Sequence, residues 1–305
     1  MKIFRYRSRG QSQVRLGIAA GDQPVQDLQT AWSKHVGVAE STDGFLTSTL
    51  ALIEGGPELW RGVDEAVRAG GHDIPADVEW VCPLDRLSSL RDFLAFEDHV
   101  KRGAQRRGAN VPDYWHRAPV YYKGNHRSII GPDEECPWPP YTQHLDFELE
   151  LGMIVGAKGR DITKEDADRF IFGFTILDDF SARDIQAEEM TAWLGPAKGK
   201  DFATALGPCI VTADEVGPQP DLEMICRVNG EQWGRARSSD ARWSWAEMIA
   251  HVSRSEDVYP GDVYGSGTPG GCCGLDLGRR LSAGDVVELE VESLGVLRNR
   301  IATPA

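Results

Sequence analysis

The feature that most constrains this chain is a succession of short strand-like runs from Leu145 onward: DFELELGMIVG, FIFGFTILDD, CIVTADEV, EMICRVNGE and DVVELEVES. Several are parted by Gly-containing turns, among them Asn229-Gly230, a pair suited to a tight hairpin because both residues tolerate positive φ. Helical spacing is confined there to short stretches, near Lys164 to Arg169 and Ser244 to Ser253. Without regular strand–helix alternation, a Rossmann or TIM-type parallel sheet is disfavoured. An α+β fold, mainly β, on mixed or antiparallel sheet is expected.

The first eighty residues read differently. Ile3 to Ile18 has the pattern of a hairpin, and in Pro57 to Ala69 the residues Leu59, Val63 and Val67 recur at helical spacing on one side. This predicts a small N-terminal α+β domain over residues 1–80 and a main domain over 81–305. In RDFLAFEDHVKRGAQRRG, Phe93, Phe96 and Val100 suit a helix ending near Gly108. A Pro- and Gly-rich passage from Asn110 to Pro140 follows, holding the strand-like PVYYK and SIIGP, and such loop-rich passages often line sites.

Charge narrows the function. Asp and Glu number 47 against 33 Lys and Arg, a net charge of −14, which disfavours nonspecific binding to nucleic acid or anionic membrane and favours a small ligand or a cation. No apolar stretch reaches membrane-spanning length, and MKIFRYRSRGQSQ lacks the apolar core of a secretory leader, so a cytoplasmic location is expected. Cys82, Cys136, Cys209, Cys226, Cys272 and Cys273 show no CxxC spacing, which predicts buried thiols in place of structural zinc or a disulfide framework.

Candidate chemistry lies with the carboxylates. In DFELELG, strand alternation puts Phe147, Leu149 and Leu151 on one face and Glu148 and Glu150 on the other. Two carboxylates converging on one point repel unless a proton or a hard cation such as Mg²⁺ sits between them. Glu288, Glu290 and Glu292 show the same alternation, where a solvated face is the easier explanation, so both readings stay open for Glu148 and Glu150. Asp178-Asp179 closes the apolar run FIFGFTIL; adjacent strand residues point to opposite faces, so at most one would face a shared site. Asp92 and His99 would share a helix face, two turns apart, if their segment were helical throughout; a surface histidine is the alternative. GPAKGKDF lacks Walker spacing, and GSGTPGG suits close backbone approach to a ligand or a simple turn.

Together DFELELGMIVG, ILDDFSARDIQ, GPAKGKDFATALGP, RVNGE, PGDVYGSGTPGG and LSAGDVVELEVESLGVLRNRI resemble, in order and spacing, the fumarylacetoacetate hydrolase family, from about Arg91 to Ile301. The resemblance implies a mixed β-sandwich roll, a homodimer and a divalent metal, Mg²⁺ first with Mn²⁺ or Ca²⁺ as alternatives. It implies that Asp92, Glu148, Glu150 and Asp179 are the metal carboxylates, His99 the general base and Asp276 the acid that orients it. Lys200, Arg183, Gln186 and Thr268 match positions holding metal-bound waters, a substrate carboxylate or a developing oxyanion, with Lys200 in a catalytic role, and Tyr122 matches a substrate-contacting tyrosine. Two positions depart: Leu94 stands where fumarylacetoacetate hydrolases proper have a substrate-binding tyrosine, and Asp276 is one methylene shorter than the usual glutamate. The implied activity is hydrolysis of a carbon–carbon bond in a small 1,3-diketo acid, an acylpyruvate or fumarylacetoacetate-like compound. The alternatives are decarboxylation, tautomerisation or dehydration of a 2-keto acid such as oxaloacetate or a 2-keto-3-deoxy sugar acid, or a catalytically silent binding protein.

Overall fold

A computed structural model describes residues 1–21 and 23–304. Two sheets carry most of its strands. The larger runs edge to edge through Gln26–Asp27, Arg15–Ala19, Lys2–Ser8, Thr204–Thr212, Ile171–Asp178, Leu149–Val155, Asp262–Gly265, Ser89–Phe93 and Tyr121–Lys123, with Val78–Val81 and Ile129–Ile130 pairing off this path. Its pairings are antiparallel except for Asp262–Gly265 with Ser89–Phe93 and Thr204–Thr212 with Ile129–Ile130. The smaller sheet runs Glu231–Arg237, Glu223–Val228, Val286–Val291, Gly295–Ile301 and Glu135–Cys136. This is the α+β, mainly β fold that the strand-rich sequence predicts, and the sandwich that the family resemblance implies.

Alternation along the central strands sorts side chains between two cores. Phe147, Leu149, Leu151, Met153 and Val155 pack with Met224, Cys226, Val228 and Leu289 of the smaller sheet. On the opposite face, Ile154, Phe172, Leu177, Leu206 and Ile210 pack with Ile3, Ile18, Leu52, Ile53, Val63 and Val67 from the first eighty residues. The expected hairpin pairs Ile3 with Ile18, and its first strand continues the large sheet by pairing Ile3 with Ile210.

Local signals act as elementary chemistry requires. The helix Gly56–Arg68 has Pro in its first turn and buries Val63 and Val67. The helix Trp245–Val252 starts at a capping box, Ser244 Oγ accepting from Glu247 N–H and Glu247 reaching back to Ser244 N–H at 3.0 Å. Asn229 and Gly230 take φ of 52° and 78° in the hairpin between the first two strands of the smaller sheet. Two local readings need correction. Residues 164–169 give only a 3-10 turn, Ala167–Phe170. Asp92 and His99 do not share a helix: Ser89–Phe93 is a strand and the helix begins at Glu97. Sheet pairing decides this, since Arg91, Asp92 and Phe93 pair with Lys123, Tyr122 and Tyr121.

Candidate active site

Three central strands bring acidic residues to one place. Asp92 lies on Ser89–Phe93, Glu150 on Leu149–Val155, and Asp179 directly follows Ile171–Asp178. Between the first two runs Asp262–Gly265, whose Gly265 is in register with Asp92 on one side and Gly152 on the other. A Cβ placed on Gly265 would come 2.6 Å from Glu150 Oε2 and 3.1 Å from Asp92 Oδ2, so only glycine lets the two carboxylates meet across that strand. Each of Asp92, Glu150 and Asp179 offers a carboxylate oxygen, these oxygens lie within 4.8 Å of one another, and all three residues are buried. Of the Asp178-Asp179 pair, Asp178 turns away and accepts the Glu148 N–H at 3.0 Å.

Burial and mutual repulsion push the three carboxyls upward. Asp92 is raised well above the usual carboxylate range by burial and then by Asp179; Glu150 is raised by burial and then by Asp92; Asp179 is raised by burial, with Lys200 opposing. Gly267 N–H donates to Glu150 Oε2 at 2.8 Å and Tyr122 OH to Asp179 Oδ2 at 2.8 Å, while Asp179 Oδ1 has no partner. A buried, all-oxygen set with surplus negative charge and an unpartnered oxygen fits a hard divalent cation such as Mg²⁺, Mn²⁺ or Ca²⁺.

Glu148 is also buried but sits beside this set and not in it. Its Oε1 accepts from Arg183 Nη2 at 2.8 Å and its Oε2 from Lys200 Nζ at 2.6 Å. Lys200 also donates to Asp179 Oδ2, so one ammonium joins the two acids. Burial would raise Glu148, yet Arg183 and Lys200 hold it below the usual carboxylate range. Burial would lower Lys200, yet Asp179 and Glu148 hold it above its ordinary value. Arg183 opens the helix Arg183–Met190, donates from Nε to Asp146 Oδ2 at 2.8 Å, and reaches Gln186 Oε1 from Nη1 at 3.1 Å.

On the other side of Glu148 lies a histidine–aspartate pair. His99 Nε2 is 3.8 Å from Glu148 Oε1, and His99 Nδ1 is 2.8 Å from Asp276 Oδ2. The carboxylate as acceptor fixes the proton on Nδ1 and leaves Nε2 free to accept one. Burial opposes ionisation of Asp276, but hydrogen bonds from His99, Arg106 and the Gly271 N–H keep it below its ordinary value. Thr268 is buried one residue beyond Gly267 and donates to Cys272 O at 3.3 Å.

Sequence reasoning missed Asp146, which is buried and also accepts the N–H groups of Gly274 and Leu275 at 2.8 and 2.9 Å. It thereby ties Arg183 to the helix Gly274–Leu277 that carries Asp276. Its signal was its place two residues before Glu148, in phase with Glu148 and Glu150 in the alternating run DFELEL. Arg106 was missed too, although it lies seven residues beyond His99 on one helix.

Residues 89–302 match the family model described as Fumarylacetoacetate (FAA) hydrolase C-terminal. A mitochondrial oxaloacetate tautomerase of Homo sapiens is 38% identical over 234 residues, 74% of this chain and 70% of its own length. A 2,4-didehydro-3-deoxy-L-rhamnonate hydrolase of Sphingomonas sp. (strain SKA58) is 29% identical over 311 residues, 99% of this chain and 96% of its own. The solved fumarylacetoacetate hydrolase of psychrophilic Exiguobacterium antarcticum superimposes with a TM-score of 0.77 at 27% identity, over 99% of each chain.

Proposed function

The chain belongs to the fumarylacetoacetate hydrolase family, and from that premise we propose that it is a divalent-metal-dependent enzyme that enolises a small keto acid and cleaves a carbon–carbon bond of a 1,3-diketo acid with water. One observation carries this reading: the buried Asp92, Glu150 and Asp179 set adjoins a His99–Asp276 pair, with Glu148 between them. Asp92, Glu150 and Asp179, with Glu148 within reach, would hold the cation, whose chemistry there is to polarise a keto acid's oxygens and favour negative charge on them.

The chain's own residues would do the rest. His99 Nε2 takes a proton from water, and Asp276 stabilises the imidazolium that results. The water oxygen adds to the distal carbonyl carbon, the carbon–carbon bond breaks, and its electron pair passes to the leaving enolate. Protonation of that carbon, by the proton His99 holds, closes the cycle and yields two acids. Lys200 and Arg183 keep two positive charges beside Glu148, where a substrate carboxylate or developing oxyanion gains most from them. Tyr122 stands at Asp179 to orient substrate, with Gln186 and Thr268 as further polar contacts. Burial of the acidic set limits competing access by bulk water.

A second reading uses the same groups without cleavage: His99 moves a proton between carbon and oxygen of oxaloacetate. The 38% identity to an oxaloacetate tautomerase favours it. Incubating the protein and Mg²⁺ with acylpyruvates, oxaloacetate and 2-keto-3-deoxy acids, followed by NMR, separates the two. Paired acid products identify cleavage, enol–keto interconversion without them identifies tautomerisation, and turnover of no compound defeats both. The family resemblance also leads us to propose a homodimer, which light scattering at about twice the 33.6 kDa chain mass would support.

A further inference from the structure

We infer that Arg106 is a positioning residue for the His99–Asp276 pair, holding the short Asp276 side chain in line with His99 Nδ1. The inference rests on the reading of His99 as the base. Asp276 Oδ2 accepts from His99 Nδ1 at 2.8 Å and from Gly271 N–H at 3.1 Å, while Oδ1 accepts from Arg106 Nη1 at 2.8 Å. Both oxygens are thus engaged, and Arg106 is the side chain that prevents the carboxylate from rotating about its own axis away from the imidazole. Seven residues of helix separate His99 from Arg106, about 10 Å along the axis, so one rigid element carries both the ring to be oriented and the clamp on its orienter.

Other ion pairs on this helix do not share these features. Lys101–Glu97 and Arg102–Asp98 are i,i+4 pairs with both partners at 42% exposure or more, the kind that contributes little. The Asp276 side chain is 0% exposed against 35% for Arg106. A buried carboxylate that loses its cationic partner is left with an uncompensated lone-pair face, and it swings or takes up a proton. Chain length supplies the reason for a clamp here. Aspartate reaches less far than glutamate, so the carboxylate is held at Nδ1 by two further donors, Arg106 on Oδ1 and the Gly271 N–H on Oδ2.

The test is a set of variants assayed on whichever keto acid the panel identifies: Arg106→Ala, Arg106→Lys, Asp276→Glu, Arg106→Ala with Asp276→Glu, and His99→Ala. Arg106→Ala is expected to lower kcat by about tenfold or more with KM changed less than about twofold, because orientation of the base matters after substrate is bound. Arg106→Lys recovers part of the loss, and millimolar guanidinium restores Arg106→Ala but not His99→Ala. In the Asp276→Glu background, removal of Arg106 costs several-fold less, since the longer acid reaches the ring unaided. Wild-type kcat in Arg106→Ala alongside an inactive His99→Ala overturns the inference and leaves the base reading standing. Equal losses in both backgrounds, unrescued by lysine or guanidinium, also overturn it. Should Arg106→Ala not fold, the Arg106→Lys kcat-to-KM split decides: full activity, or a loss confined to KM, overturns it. A His99→Ala protein at wild-type rate removes both readings.

Discussion

At the scale of single residues, Gly265 controls whether the acidic set can exist. Any side chain there would overlap Glu150 Oε2, so Gly265→Ala should spread the carboxylates and weaken Mg²⁺ binding by about tenfold or more, as measured by calorimetry. Unchanged affinity would mean that the cation does not sit among Asp92, Glu150 and Asp179. The protonation of that set gives a second prediction. Its carboxyls are raised in the folded protein, so the folded state holds protons that the unfolded chain releases, and metal-free stability should fall as pH rises from the ordinary carboxylate range through the raised values. A cation binds the ionised form, so the rise in Tm on adding Mg²⁺ should grow with pH across this window. A Mg²⁺ effect that is flat with pH would contradict the assignment.

At the scale of elements, Asp27 shows how one side chain fixes several. It accepts from Arg15 Nε and Nη2 at 2.7 Å each, from Tyr6 OH at 2.5 Å, and from the Thr30 N–H at 2.9 Å, capping the helix Leu28–Val36. Burial works against its charge, but these donors hold it below its ordinary value. Its contribution is therefore present above the ordinary carboxylate range and is lost as pH falls through the lowered value. Asp27→Ala should destabilise by about 2–4 kcal/mol in denaturant titration. Legibility in the sequence also divides by element. Alternation along DFELELG correctly put Glu148 and Glu150 on one face, because the period of a strand is local information. Alternation could not tell their burial from the half-exposed Glu288 and Glu290 of Val286–Val291, since that depends on which strands lie alongside. Asp92 read as helical because Phe93, Phe96 and Val100 mimic helix spacing across a strand–helix junction. Its strand neighbours are Tyr122 on one side and the sequence-distant Gly265 on the other, and no local pattern carries those pairings.

At the scale of the whole molecule, the first eighty residues complete the large sheet and cover its second face. We propose that the division near residue 80 separates roles, catalysis after it and support before it, without separating independently folding units. A fragment of residues 81–305 should then lack a cooperative unfolding transition, because Ile154, Phe172, Leu177, Leu206 and Ile210 would lose their cover. Among the described residues no helix is long and apolar enough to cross a membrane.

On the function proposed above, the buried carboxylates hold a divalent cation on which turnover of a keto acid depends. The most direct measurement is turnover of the keto-acid panel by chelator-stripped protein during titration with Mg²⁺ or Mn²⁺, with Glu150→Gln in parallel. The expectation is no turnover without metal, saturable recovery on its return, and at least about a hundredfold loss in Glu150→Gln. Undiminished turnover by the stripped protein, or by Glu150→Gln, would contradict it.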